Sequence, residues 1–482
     1  MNIKKFCAVL LTLLATHGTL HAADFESSES INMTLDKAVQ LALKNNRTIE
    51  QYSEDRESAL WGLSATRRNG GPRLSWSSSA NYIGGKYYRE YQDTYSNYHF
   101  YYNDDRINYT GRESPPYHTE VSNTFTLSMP LYTGGRLENQ IEGAEYQLNS
   151  ANLTLEYARQ QVKYQAAEAY YQILQYNDNI KVQQEAVNVL QSHLDTVQIQ
   201  YEVGTVAKAD VLATAVQLAN YKRQLNSAWG NYETAVARLN NIIGLPVDTL
   251  LVTNETLEKT PYDKTEDECI DYALEHRPDG IAAGYAVNRA AAEVGVTKSG
   301  YRPTVTAVAR GSMVGEKPFQ SNHTAESWTV GVNIDWNIFD NGITSAQVNQ
   351  AKASERRAES QHLQQLETIM LEVHSAYIAL ATAEKNVEVA AAAVKEAEDS
   401  YEIAKVRYIE GVDTNLNVMD AQSKLAESRN NYYSALYSYN VGKAKLDQVI
   451  GVPIAIDSVR YAAAVENGKT PNKALKESVI EE

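Results

Sequence analysis

The chain has few of the residues that staple a fold together. Two cysteines occur in 482 residues, Cys7 and Cys269. The first residues read as a secretory signal: Lys4 and Lys5 precede an apolar run from Phe6 to Ala15, and Leu20-His21-Ala22 offers a cleavage point. Removal of residues 1–22 would leave Cys269 alone, so no intramolecular disulfide is expected. Cys7 lies too early to carry a lipid after cleavage. Beyond the signal there is no run of about 18 apolar residues, which excludes a transmembrane helix. A bilayer could then be crossed only by a closed β-barrel, because nothing else satisfies the backbone inside lipid. Catalytic patterns are missing as well. The histidines, among them His193, His276, His362 and His374, lack metal-ligand spacing, and no H-E-x-x-H, G-x-S-x-G or phosphate-cradling loop occurs. Glu266-Asp267-Glu268 reads as a solvated helix start. No enzyme, cofactor or metal site is expected. The net charge of −16 argues against nucleic acid as a partner. It reads as solubility or, more sharply, as an electronegative lumen favouring cations.

What the chain does have is repetition. From Gly135 to Pro246 and again from Gly342 to Pro453, residues recur at a fixed shift of 207 positions. Ala144 answers Ala351, Tyr170 answers Tyr377, and Tyr201, Gly204 and Gly244 answer Tyr408, Gly411 and Gly451. Register held without insertion is the mark of long helices, where one extra residue rotates every later side chain by about 100°. Neither glycine nor proline occurs between Gly143 and Gly204, or between Gly342 and Gly411. A helix of about 65 residues would run about 100 Å. Apolar residues from Ala144 through Leu148, Leu155, Val162 and Ile173 to Val197 step by three and four, an amphipathic coiled-coil pattern. Each long helix should turn at Gly204 or Gly411. A second helix then runs to a glycine cap and proline, Gly244-Leu245-Pro246 or Gly451-Val452-Pro453. Shorter helices should precede the hairpins, one capped by Thr34 and one around Cys269.

Strand-like sequence separates each short helix from its hairpin. Counting from Trp328, alternate residues to Ile338 are Trp, Val, Val, Ile, Trp and Ile, with Thr, Gly, Asn, Asp and Asn between them. That alternation fits a membrane strand of about 9–11 residues with aromatics near its ends. Weaker candidates lie at about 73–83, 120–131 and 303–313. The first repeat is therefore placed at 34–251 with hairpin 134–244, and the second at 262–453 with hairpin 341–451. Residues 454–482 form a tail, read as partly disordered. The loop from about Gly84 to Thr119 is crowded with tyrosine and reads as an outward-facing barrel loop. Four strands cannot close a barrel, since membrane barrels need at least about eight. Several chains must share one, and three copies would supply twelve strands.

This arrangement resembles the TolC-like outer-membrane efflux proteins over almost the whole mature chain. The most specific pieces are Tyr201-Glu202-Val203-Gly204 with Asp210-Val211-Leu212, and Tyr408-Ile409-Glu410-Gly411 with Asn417-Val418-Met419-Asp420-Ala421. The resemblance implies a mainly α fold with a β-barrel: two tandem repeats of helix, strand, strand and long hairpin. Three chains would share a twelve-stranded outer-membrane barrel above a periplasmic helical tunnel. It implies a passive exit duct for small molecules that couples to a periplasmic adapter and a proton- or ATP-driven inner-membrane pump. Val203, Gly204 and Thr205, with Glu410, Gly411 and Val412, would receive the adapter. A tip gate would use Asp420 as an acidic ring, Asp210 and Tyr408 as ties, and the positions of Asp413 and Asn417. The chain departs from the family at two of these: Asn417 stands where a second aspartate is common, and Asp413 where a basic residue can tie the gate. As helix-start carboxylates, Asp210, Asp413 and Asp420 could instead serve as caps, and Tyr201 and Tyr408 continue the packing stripe. Two alternatives remain at this level: a duct of the same kind serving type I protein secretion, and a periplasmic coiled-coil adapter or scaffold.

Overall fold

The computed structural model describes residues 31–84, 117–315 and 325–454. The expected signal, most of the tyrosine-rich loop and the tail beyond Ile454 lie outside them. A two-residue strand β1 (Ile31–Asn32) leads into α1 (Leu35–Asn45), whose first turn is closed by Thr34 Oγ1 accepting the Lys37 N–H. One extended residue, Asn46, separates it from α2 (Arg47–Arg68). The strands β2 (Arg73–Gly84) and β3 (Tyr117–Tyr132) precede the long helix α3 (Arg136–Glu202), followed by α4 (Lys208–Ile243) and β4 (Leu251–Val252). Then come α5 (Glu266–His276), α6 (Pro278–Lys298), β5 (Thr304–Gly315), β6 (Ala325–Asp335), α7 (Ile343–Ile409) and α8 (Asn415–Val449). The helices α3 and α7 each run 67 residues. No described helix is long and apolar enough to cross a membrane.

Two helices escape the sequence reading. In α2 only Leu63 is buried, while Leu60 and Trp61 are exposed, so there is no apolar stripe to see. In α6 glycine and alanine replace the larger apolar residues. Gly280 is one reason for the small side chains, since a Cβ there would lie 2.8 Å from Ile369 Cδ1.

The described residues fall into two compact units, drawn from 1–46, 165–260 and 383–441, and from 47–164, 261–382 and 442–482. The first holds α1, α4, the distal part of α3 and α7, most of α8, and the parallel pair β1–β4. Its core takes in part of the expected stripe, Leu190 and Val197, together with Val182 and Ala186 outside it. Val182, Ala186 and Leu190 of α3 pack with Leu218 and Tyr221 of α4, and Val197 packs with Tyr401, Val418 and Leu425. Tyr170 is fully buried, its hydroxyl donating to Glu255 at 2.7 Å.

The second unit contains one antiparallel sheet in the order β2-β3-β5-β6. Its register sorts most of the side chains by polarity, with Ser78, Asn123 and Glu326 as polar exceptions on the apolar face. Leu74 pairs with Leu127, Trp76 with Phe125, Leu127 with Ala309, and Ala309 with Val330. Successive residues point to opposite faces, so these share one face with Met129, Trp328, Val332 and Ile334. Most of that face is bare: Leu74 is 70% exposed, Trp328 82% and Val330 71%, while Val121 and Asn123 towards one end are buried. The opposite face carries Ser75, Ser77, Thr124, Thr126, Thr306, Ser312, Thr329 and Asn333, with Thr124 and Ser312 hydroxyls 3.3 Å apart across two strands. The ladder of β6 ends at Asp335, short of Ile338, because its partner begins at Thr304 after Pro303. Trp336 instead donates its indole N–H to the Tyr301 carbonyl at 3.1 Å. Among the described residues, β2 and β6 each have one unpaired edge.

Candidate functional site

Each hairpin turns through the same backbone device. The Gly204 N–H donates to the Tyr201 carbonyl and the Thr205 N–H to Gln200; Gly411 and Val412 do the same to Tyr408 and Arg407. These are the paired bonds of a helix end closed by a left-handed residue. Gly204 and Gly411 supply it at φ 82° and 73°. A Cβ at either would meet nothing within 4 Å, so glycine is required by backbone handedness, not by space. The turns push Val203 and Val412 into solvent at 70% and 65% exposure. Leu212, Val216, Ile409 and Leu416 are also exposed, which extends the apolar surface beyond the residues the sequence singles out. Glu410 is exposed at the second turn, beside Val412.

Behind the tips lies a polar junction of four helix segments. Tyr408 is buried and donates to Gln200 Oε1 at 2.6 Å. Burial, and then the nearby Asp210 charge, push its phenol up. The buried Asn415 side chain donates to Thr214 Oγ1 at 2.9 Å and to the Asp210 carbonyl at 3.3 Å. Its Oδ1 lies 2.7 Å from His193 Nε2, and the His193 ring meets Tyr408 edge-on at 5.2 Å. Asp413 is tied within its own turn. It accepts from the Asn417 amide and from the Thr414 N–H, and lies 3.4 Å from Arg407 Nε. In that order these hold its carboxyl below the usual range. Thr414 Oγ1, not an aspartate, caps α8 by accepting the Asn417 N–H at 3.4 Å. Asp420 stands exposed on α8, without a hydrogen bond or ion pair among the described residues.

The structure thus gathers Asp210 and Tyr408 at one junction and Asp413 with Asn417 at another, and leaves Asp420 outside both. The sequence reading gives Gln200, Asn415 and Arg407 no part at the tips, and takes His193 only as a histidine without ligand spacing. For Gln200, His193 and Asn415 the signal is pairing between hairpins, and for Arg407 a side-chain tie across its own turn, neither of which helical periodicity encodes.

Burial lowers the pKa of His193, while Asn415 pulls the other way. A base whose folded pKa is depressed keeps its full stabilising share above its unfolded value, and loses it as pH falls through that value. Hydrogen exchange at 190–202 and 408–420, corrected for intrinsic rates, should therefore accelerate from pH 7.5 to pH 5.5. In His193→Gln the acceleration should vanish. Asn415→Ala, which leaves the half-buried His193 Nε2 without its partner and takes a donor from Thr214, should open the same segments at both pH values by about 1–3 kcal/mol. Equal pH responses in wild type and His193→Gln would refute the assignment.

An apolar sheet face, polar opposite face and helical hairpins of this length define a membrane-inserted channel with a helical extension. The sequence matches the family described as "Outer membrane efflux protein" over residues 38–245 and 269–452, and the chain belongs to that family. Among its relatives, "Outer membrane protein TolC" of Salmonella enteritidis is 21% identical over 94% of this chain and 87% of that one. "Outer membrane efflux protein BepC" of Brucella suis is 24% identical; there the chain spans about half of the relative, 51%, with 49% of its own length. Among solved structures, the Campylobacter jejuni CmeC outer membrane channel is similar with a TM-score of 0.70, at 19% identity over 94% of each chain. The protein is therefore an outer-membrane channel of the efflux family, which sets aside the adapter or scaffold reading.

Proposed function

We propose that three copies close one twelve-stranded barrel and form a passive exit duct for small molecules. In this reading the hairpins carry the tunnel into the periplasm, where the tips engage an adapter and, through it, an inner-membrane pump that supplies the energy. One observation carries the reading: a four-stranded sheet with a mostly apolar, largely bare face and, among the described residues, two unpaired edges. Such edges are forbidden in lipid, and pairing β6 of one copy with β2 of the next removes them. Two copies would only reach the minimum of about eight strands, while three leave a water-filled bore. The grooves at Val203, Gly204 and Thr205, and at Glu410, Gly411 and Val412, are the proposed adapter seats, supported by their exposed apolar rim.

The proposed gate is the ring of tips, with Asp210 and Tyr408 as ties, Asp413 and Asn417 as a turn-stiffening pair, and Asp420 as the acidic ring. Asp413→Ala/Asp420→Ala should raise single-channel conductance in planar bilayers, by freeing the Arg407–Asn417 turn and removing ring charge. Unchanged current would take both residues out of the gate.

A further inference from the structure

Net charge suggests an acidic duct, but the acid is not on the sheet's polar face. From Ser79 to Asn333 the rows of that face carry mainly serine and threonine, with a few small or apolar residues, Asn333 and two cations, Arg73 and Arg310, and no carboxylate. Glu120 and Asp335 lie only at its two ends. Arg310 sits mid-strand, between Thr126 of β3 and Thr329 of β6. It makes no ion pair or side-chain hydrogen bond among the described residues. Arg73 lies one row nearer the helices and two strands away, about 12 Å off on strand spacings. It opens into a cleft of about 670 Å³, where the sheet meets the helices, lined also by Arg68, Asn69, Arg136 and Gln140. None of the cleft's lining residues is acidic. Of the neighbouring carboxylates, Glu145 pairs with Arg67 at 2.9 Å, and Glu138 accepts at 3.3 Å from Thr133 at the cleft's edge.

We infer that Arg310, Arg73, Arg68 and Arg136 form an anion-recruiting belt inside the barrel mouth, selecting exported solutes that carry carboxylate or phosphate groups. The inference rests on the trimeric duct proposed above, which turns the polar face inward and triples the belt. Guanidinium groups offer forked donors that match oxyanions, and they keep their charge at any physiological pH. At about 12 Å, beyond the Debye length of about 8 Å, each arginine acts largely as its own contact site in bulk salt. The walls of a confined bore focus what field remains. Seryl and threonyl neighbours provide hydroxyls without competing charge. The belt would hold anions where the helices give way to the sheet, weakly enough to release them onward through the barrel.

The test uses the full mature chain in detergent and in planar bilayers. Sodium tripolyphosphate should bind the wild type by calorimetry, and Arg73→Ser/Arg310→Ser should weaken it about tenfold. Arg73→Lys/Arg310→Lys should keep most of the affinity, because charge is retained. In the Asp413→Ala/Asp420→Ala background, reversal potentials under a KCl gradient should favour chloride about threefold more with the arginines than with the serines. Channels with the same permeability ratio and the same tripolyphosphate affinity in both would overturn the belt. So would serine variants that only dissociate the assembly, since that places the arginines in a subunit contact with a neighbour's carboxylates. Failure to form any channel would instead count against the duct.

Discussion

Val330→Arg is expected to abolish assembly in the outer membrane, whereas Asn333→Arg, three residues away, is expected to be tolerated. Val330 lies mid-strand on the apolar face, 71% exposed in the single chain, flanked by Leu127 and Ala309 on that same face. An arginine near the midplane of a lipid-facing barrel wall costs about 2–4 kcal/mol. A shared barrel incurs that cost once per chain, so three copies multiply it against a total stability of about 5–15 kcal/mol for an ordinary domain. Asn333 faces the other way, beside Thr306, where a guanidinium meets water and hydroxyls. Outer-membrane fractionation and heat-modifiable migration on gels would report both. Equal tolerance of the two substitutions would mean that the apolar face does not meet lipid.

The second large effect concerns Arg277, the single residue between α5 and α6. It is 2% exposed. Its guanidinium donates twice to Asp279, at 2.9 and 2.6 Å, once to Glu372 at 2.6 Å and once to the Val449 carbonyl at 3.2 Å. Four segments are therefore tied by one fork, and Gly451, at φ 76°, leaves room for it: a Cβ there would lie 3.1 Å from Arg277 Cγ. Arg277→Ala removes the ion-pair partner of the partly buried Asp279 carboxylate, leaving it only the Gln365 amide at 2.9 Å, and strands a helix-end carbonyl. Removing one partner of a buried pair costs about 3–5 kcal/mol. The lower end applies, because the Glu372 side chain, 46% exposed, can turn to water. Arg277→Lys should recover only part, since an ammonium cannot fork across both carboxylates. Thermal unfolding of the detergent-solubilised protein measures this, and a midpoint unchanged by Arg277→Ala would show that the junction is held by packing alone.

How much of this was readable in the chain follows from the kind of signal each part leaves. Trp328 to Ile334 alternates with period two, and the sheet register places those residues on one face. Gly204 and Gly411 announce their turns because only a left-handed position closes both helix ends in that way. The helix α2 was hidden because its surface has no apolar stripe, and α6 because its contacts are made by glycine and alanine. At the tips, local chemistry was legible and pairing was not. Asp413 could be located near a helix start, but the sequence does not show that Asn417 and Arg407 hold it while Thr414 caps the helix. The contacts of Tyr408 with Gln200 and of His193 with Asn415 join residues more than two hundred positions apart. The junction at Arg277 is similar: one arginine before a proline gives no hint that Glu372 and Val449 meet it. The charge of the sheet's polar face was not legible for a related reason, since a chain total of −16 says nothing about which face the acids occupy.

The account depends on an unfinished wall that only identical neighbours can complete. Its most direct test is the mass of the mature protein in detergent, by native mass spectrometry after micelle removal. The expected result is a particle of three chains that persists on dilution, and whose spectrum loses β structure when the particle is dissociated. A well-folded particle of one chain, with its sheet intact and no need of detergent, would contradict it.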